Sequence, residues 1–155
     1  IGGIPEDSIL CEPQVVSTGL PFPIVLVDSL DTLKKVKIDF LALDKLRSTI
    51  SENILMEPFW VCLTPPRENG LTFSRLLLQS SGRSEDPFTG SATGAMAAYL
   101  WDNKLIQTPA FNAHQGDFLG RPGEAEVKVL CSSGNITGVK VTGSAYVLMT
   151  GKLKI

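Results

Sequence analysis

Residues 84–101 read SEDPFTGSATGAMAAYLW, and this stretch decides the fold that we predict for the chain. It opens with two carboxylates, Glu85 and Asp86, turns at a proline and passes through small polar residues. Residues 94–101 carry no charge, and small or apolar side chains would occupy every face of a helix there. A helix that is apolar on all faces belongs in an interior, and this one falls short of the roughly 20 residues that a membrane span needs. The stretch therefore predicts a short buried helix with a polar N-terminus.

The N-terminus of this helix is a candidate anion site. The first turn of a helix has backbone N–H groups without intrahelical partners and carries a partial positive charge. The residues there are small and would let an anion approach the backbone closely: Thr89, Gly90, Ser91, Ala92 and Thr93. Such a terminus binds carboxylate or phosphate. The simpler interpretation is that Ser91 or Thr89 only caps the helix, since most capped helices bind nothing.

Asp86 stands just before this helix. Pro87 favours an extended backbone at Asp86, which would place the carboxylate at the helix entrance. There it can act as an acid or base beside a bound substrate, or it can simply be a capping or turn aspartate. We predict that the neighbouring Glu85 is exposed to solvent.

A resemblance to a known family rests on residues 85–95, EDPFTGSATGA. They resemble the EDPxTGSAxGA motif of the phenazine-biosynthesis PhzF-like family, whose fold resembles that of diaminopimelate epimerase. Three further stretches are similar to the family in order and spacing: residues 14–21 (QVVSTGLP), 115–122 (QGDFLGRP) and 139–153. The matches cover nearly the whole chain. The central motif is specific, and Phe88 and the residues around Arg75 depart from the common pattern.

The pattern of elements and the resemblance predict the same fold class, α+β. Short strands at regular spacing around one apolar helix indicate a bent, barrel-like sheet of mixed or antiparallel strands that wraps around the helix, with two outer helices capped by Ser29 and Asp39. We predict these strands: residues 15–19, 23–28, 59–64, 71–79, 111–116, 125–130, 136–141, 145–149 and 152–155. Residues 1–13 are predicted to be a connector, residues 51–57 a loop and residues 65–70 a hairpin-like connection.

The resemblance also implies a domain organisation. Family members have two similar halves, and residues 1–155 resemble the second, C-terminal one as a single domain. The glutamate thought to move the proton and a GHPT motif belong to the first half, and no GHP occurs in this sequence. The resemblance thus implies a partner domain that carries the catalytic glutamate, a last strand that crosses towards that domain, and a homodimer.

The site residues follow from the same resemblance. It implies catalytic roles for Asp86 and Ser91, and a substrate carboxylate held by Thr89, Gly90, Ser91 and Ala92. Further candidates are Gln115, Gly116 and Arg121. Arg121 would pair with a substrate carboxylate or an acidic side chain, although a structural role in its glycine-flanked turn fits equally well. We interpret His114, the one histidine, as a surface or satisfied strand residue rather than a base.

Composition narrows the class of protein. The formal net charge of −2 leaves no basic surface for nucleic acid. The first residues, IGGIPEDS, have no basic start followed by an apolar core, so we expect no signal peptide. Cys11, Cys62 and Cys131 have no metal-binding spacing and indicate buried reduced thiols in a cytoplasmic protein. No nucleotide or zinc motif occurs, so we expect no cofactor and no metal.

Two functions from different classes fit these features. The first is half of a cofactor-independent isomerase that shifts a proton on a small substrate bearing a carboxylate. Asp86 would position or polarise the substrate while the helix N-terminus holds the carboxylate. The second is a domain that binds a small anion or another protein without catalysis.

Overall fold

A computed structural model of the chain describes residues 1–49, 57–79 and 84–153. Its strands form one mixed sheet in the order β1-β2-β3-β4-β6-β7-β8, and the short β5 pairs with β4. The strands are β1 Gln14–Ser17, β2 Pro21–Leu26, β3 Phe59–Cys62, β4 Thr72–Leu77, β5 Glu85–Asp86, β6 Ala110–Gln115, β7 Gly123–Ser132 and β8 Asn135–Thr142. The helices are α1 Leu30–Lys35, α2 Phe40–Thr49 and α3 Gly90–Asp102. The pairs β2–β3 and β4–β6 are parallel, and the others are antiparallel.

The predicted buried helix is α3. All residues from position 92 to 100 are buried, and α3 contacts strands at both ends of the sheet, β1 and β2 at one end and β7 and β8 at the other. A sheet can touch one helix with both ends only if it curls around the helix. Ile24, Phe59 and Val127 belong to the resulting core, together with Ala95 and Met96 of α3. The predicted α+β class, with a bent sheet around one central helix, is confirmed.

The outer helices begin where the sequence predicts. The Ser29 hydroxyl accepts a hydrogen bond from the Thr32 N–H at 3.1 Å, and Asp39 Oδ1 accepts one from the Ala42 N–H at 3.0 Å. These bonds satisfy N–H groups that have no intrahelical acceptor. Leu33 of α1 packs in a second apolar cluster with Trp60 and Phe73, on the face of the sheet opposite to α3.

Two sequence predictions outside the site are wrong. Residues 143–153 form no strand and are exposed, so no strand occupies residues 145–149; residues 154 and 155 lie outside the described part of the chain. A strand needs a partner edge, and residues 143–153 find none in the described chain.

Cys131 is exposed because a register shift between Leu130 and Cys131 interrupts the alternation of β7. Cys62 is buried as predicted, Cys11 is partly buried, and all three thiols are free.

The topology brings the central motif beside the end of β6. Leu76 of β4 pairs with Phe59 on one edge and with Asp86 of β5 on the other, and β6 lies on that second edge with Gln115 opposite Ser74. The strands β5 and β6 therefore follow one another along a single edge of β4. Asp86 and Gln115 meet there, although 29 positions separate them in sequence.

The predicted loop at residues 51–57 lies outside the described part except for Glu57, as do residues 80–83 before the motif.

Candidate active site

The carboxylate of Asp86 faces the start of α3. Asp86 is extended, as expected for a residue before proline, and it is the last residue of β5. Asp86 Oδ2 accepts a hydrogen bond from the Thr89 hydroxyl at 2.7 Å, and the side chain is half-buried. A short bond to a charged acceptor is among the stronger hydrogen bonds in proteins. The carboxylate is thus fixed by a side chain and not by the helix backbone.

The helix N-terminus has no side-chain cap. Thr89 is the N-cap residue, but its hydroxyl makes no capping bond, and Ser91 lies within the helix. The interpretation that Thr89 or Ser91 caps α3 is therefore wrong. The Thr93 N–H donates to the Thr89 carbonyl at 2.9 Å, so the three preceding N–H groups, those of Gly90, Ser91 and Ala92, have no acceptor within the helix. Gly90 and Ser91 are exposed, whereas Ala92 is buried.

An open cleft of about 800 Å³ borders this N-terminus. It runs along α3 between β1 and β8, which form the two ends of the sheet. Its wall includes the hydroxyls of Ser17, Thr18 and Ser91. A Cβ atom on Gly94 would stand 2.9 Å from Thr18 Oγ1, so glycine lets the residue that follows β1 approach the helix here. Asp86 is not part of the cleft wall; the site and the cleft meet at Gly90 and Ser91.

Gln115 joins the motif to the sheet. Its side chain is fully buried at the end of β6. Gln115 Oε1 accepts from the Thr89 N–H at 3.1 Å, and Nε2 donates to the Asp86 carbonyl at 2.8 Å and to Thr89 Oγ1 at 3.2 Å. The sequence-predicted candidate is thus at the site, but it contacts the backbone and side chains of the motif and cannot reach the cleft.

Gly116 also lies against the motif, whereas the Arg121 side chain does not. Gly116 has a φ of +88°, and a Cβ atom there would come 2.5 Å from the Pro87 carbonyl oxygen and 2.3 Å from that of Arg121. Only glycine fits this position without strain. The Arg121 side chain is exposed, and no hydrogen bond or ion pair joins it to the described residues. The Arg121 carbonyl oxygen thus faces Gly116 in the turn, while its side chain is exposed.

The prediction for Glu85 is wrong. Its side chain is buried and forms a two-bonded ion pair with Arg75, with Nε–Oε1 and Nη2–Oε2 distances of 3.0 and 2.7 Å. Arg75 also donates to the carbonyls of Leu33, Lys34 and Val36 at the end of α1. Because β5 pairs with β4, the side chain next to Asp86 is directed into the outer layer instead of solvent. The pair ties the strand that carries Asp86 to α1.

The loop after β6 is braced by an arginine that sequence reasoning did not select. Arg67 Nε donates to Asp117 Oδ1 at 2.7 Å, and Nη2 donates to the Gly123 carbonyl at 2.7 Å. Arg67 lies in the turn between β3 and β4, so the predicted hairpin-like connection holds the loop that contains Gly116. No local signal in the sequence marks this pairing, because 50 positions separate Arg67 from Asp117.

His114 is neither exposed nor satisfied, contrary to the sequence interpretation. Its ring is completely buried, and both ring nitrogens lack hydrogen-bond partners in the described structure. Nε2 stands 3.5 Å from Glu124 Oε2. Burial lowers the pKa of His114 below its usual range, and the nearby Arg67 guanidinium lowers this pKa further, against the opposing effect of Glu124 and Asp117. Its ring therefore favours the neutral state.

We expect the buried His114 to make the folded state less stable in acid. Its folded pKa lies below the unfolded value of about 6.5, so its contribution is complete above pH 6.5 and is lost as the pH falls from there towards the folded pKa. For one titrating group the slope cannot exceed about 1.4 kcal/mol per pH unit in that window. Urea unfolding between pH 7.5 and 5 should show this loss in the wild type and not in His114→Leu, which keeps the volume. Since the chain has one histidine, equal pH dependence in both proteins would contradict the expectation.

The described residues give no support to a metal or to a membrane span. They contain no group of three or more His, Cys, Asp or Glu side chains placed to hold a metal ion. Within those residues no helix has the length and apolar content that crossing a membrane requires.

Comparison with known proteins places the chain in a family. The model of the phenazine biosynthesis-like proteins, PhzC-PhzF, matches residues 5–151. The chain belongs to this family. An uncharacterized isomerase of Clostridium acetobutylicum is 32% identical over 148 residues, which cover 90% of this chain and 47% of that protein. The chain thus spans about half the length of the PhzC-PhzF relatives that it matches.

Two solved structures agree with the fold. The crystal structure of a PhzF family protein from Bacillus anthracis has a TM-score of 0.66 at 22% identity, and the match covers 96% of this chain and 53% of that one. A predicted epimerase from Pseudomonas aeruginosa has a TM-score of 0.56 at 25% identity, over 96% of this chain and 55% of that one. The family and the epimerase-like fold inferred from residues 85–95 are therefore confirmed.

Proposed function

We propose that this chain forms one side of the active site of a cofactor-independent isomerase that moves a proton on a small carboxylate-bearing substrate. Family membership and the isomerase relatives support an isomerase or epimerase role. The observation that carries the finer proposal is the unusual use of Thr89. Its hydroxyl is committed to Asp86 at 2.7 Å, so the first turn of α3 is left open beside a fixed carboxylate.

The proposed chemistry needs no redox partner. A base removes a proton from the carbon next to the substrate carboxylate, and the electron pair of the broken C–H bond moves into the carboxylate. The proton then returns to the same carbon from the other face, or to another carbon with a shift of the double bond. Negative charge grows on the carboxylate oxygens during this step, and N–H donors fixed there would lower the barrier.

Each residue has a role in this proposal. The N–H groups of Gly90, Ser91 and Ala92, with the Ser91 hydroxyl, hold the substrate carboxylate at the mouth of the cleft. Asp86 stands beside the reacting carbon and acts in the proton transfer or polarises the substrate. The main proton carrier is the glutamate that the family resemblance implies in the other half of the protein. The small side chains at the N-terminus of α3 leave room for a ring or a branched carbon next to the carboxylate.

Hydrogen exchange on candidate substrates tests the proposal. The longest polypeptide that the source makes is incubated in D₂O with a panel of small cyclic carboxylic acids and amino acids, without added cofactor. We expect at least one compound to lose the NMR signal of the C–H next to its carboxylate faster than in buffer alone. Saturable binding without any exchange would instead support a non-catalytic metabolite-binding domain. Neither binding nor exchange would count against both functions.

A further inference from the structure

We infer that Gln115 is a positioning residue that directs the Thr89 hydroxyl to Asp86 and keeps the N-terminus of α3 uncapped. The inference rests on the proposed function, because it explains how a helix terminus without a side-chain cap and a fixed carboxylate are maintained side by side. It assigns Gln115 no contact with substrate. The side chain is fully buried, and its hydrogen-bond partners in the described structure are Ser74, Asp86 and Thr89.

The direction of each hydrogen bond follows from chemistry. The amide nitrogen of Gln115 can only donate, so Thr89 Oγ1 is the acceptor of the 3.2 Å contact with Nε2. The single hydroxyl hydrogen of Thr89 is then free to go to Asp86 Oδ2, which is 2.7 Å away and can only accept when ionised. The result is a chain of two hydrogen bonds, which we call the relay: Gln115 donates to Thr89, and Thr89 donates to Asp86.

The relay replaces the usual cap. An N-cap threonine ordinarily accepts a hydrogen bond from the second or third N–H of its helix. In this chain Thr89 makes no such bond, and its oxygen receives the Gln115 amide instead. The Thr89 N–H is held by Gln115 Oε1 at 3.1 Å, which fixes the residue on its other side. The side chain of Gln115 therefore holds the threonine in an orientation that leaves the first helical turn unoccupied.

The sheet makes this arrangement rigid. Gln115 is paired with Gly123 of β7 on one side and with Ser74 of β4 on the other. The Ser74 hydroxyl also stands 3.5 Å from Gln115 Oε1 and 3.3 Å from the His114 carbonyl oxygen. Nε2 also donates to the Asp86 carbonyl at 2.8 Å. Gln115 of β6 therefore holds the backbone of Asp86 directly and its carboxylate through the Thr89 hydroxyl.

Two substitutions at Gln115 test the inference on the longest native polypeptide. Gln115→Met keeps the length of the side chain and removes the donor and the strong acceptor. We expect the Thr89 amide to lose about tenfold of its protection from hydrogen exchange, while the amides of α3 after Ala95 keep theirs. With a substrate found by deuterium exchange, kcat should fall at least about tenfold and KM should change less. Gln107→Met, at an exposed position outside the site, is the matched control and should change neither.

Gln115→Glu provides a signature that loss of folded protein cannot imitate. While protonated, the new carboxyl still accepts from the Thr89 N–H and donates one hydrogen bond; once ionised, it donates none and repels Asp86. We expect kcat and the Thr89 amide signal of this variant to change together along one added titration, which wild type and Gln115→Met lack. If Gln115→Met does not fold, the added titration of Gln115→Glu tests the inference by itself.

The outcomes separate the inference from the function. If no compound exchanges in the wild type, the amide measurements still test the relay while the proposed function fails. Unchanged Thr89 protection in folded Gln115→Met would overturn the inference, and so would a Gln115→Glu variant without the added titration. An unchanged kcat in Gln115→Met, with active wild type, would overturn the positioning role alone.

Discussion

Ala97→Asp should leave the chain without a folded state. Ala97 lies in the middle of α3, is fully buried and belongs to the core cluster between the helix and the sheet. An aspartate there must stay neutral in an apolar site, which at pH 7 costs about 4 kcal/mol given an ordinary pKa of about 3.9. Its unpartnered polar atoms add about 1–3 kcal/mol, and the larger side chain has no space. Domains of this kind are stable by only about 5–15 kcal/mol.

Circular dichroism and the yield of soluble protein measure this effect, and two controls assign its cause. Leu41→Asp places the same charge on α2 at a position that is 84% exposed, so its unfolding free energy should change by less than about 0.5 kcal/mol. Ala97→Asn adds nearly the same volume without a charge and should be less damaging, because only the polar burial and crowding remain. A soluble, cooperatively folding Ala97→Asp would show that α3 is not the centre of the core.

The success of the helix prediction has a physical cause. The segment from Gly94 to Trp101 has no polar face, and such a helix can only be stable inside a domain. The strands could also be predicted, because apolar runs such as PIVLVD and FWVCLT have strand length and are bounded by turn residues. These signals are local, so neighbouring residues suffice to read them.

The wrong predictions share a different cause, which is that distant residues decide them. Glu85 is acidic and follows a polar stretch, but the pairing of β5 with β4 places it opposite Leu77. Arg75, two residues before Leu77 on β4, then reaches the Glu85 carboxylate. Residues 145–149 have strand-forming side chains, but a strand also needs an edge to pair with, and none is available in the described chain.

The site was predictable in its members and not in its connections. The motif marked Asp86, Thr89 and the helix N-terminus as neighbours, since they are close in sequence. That Gln115 reaches this point follows from β5 and β6 sharing one edge of β4, which no local pattern states. The contacts of Gln115 with the motif become visible only with its burial and its hydrogen bonds to Ser74, Asp86 and Thr89.

Asp86→Asn should remove nearly all turnover and leave the fold intact. The asparagine oxygen can still accept from the Thr89 hydroxyl, so the contact at 2.7 Å survives as a neutral bond and the stability loss should be about 1 kcal/mol. The variant cannot take up or release a proton and places no charge beside the substrate. General acid or base groups contribute about 10²–10⁴-fold, so kcat in the deuterium-exchange assay should fall by that factor.

The matched control for this variant is Asp31→Asn, which removes an exposed carboxylate in the first turn of α1. Its kcat should equal that of the wild type, since α1 lies on the opposite face of the sheet from α3. If Asp86→Asn raises KM and leaves kcat unchanged, the carboxylate acts in binding and not in the proton transfer. Equal kcat and KM in both variants would remove Asp86 from the mechanism altogether. In that case the open first turn of α3 would remain as an anion site without an acid or base of its own, and any proton transfer would depend wholly on groups outside the described residues of this chain.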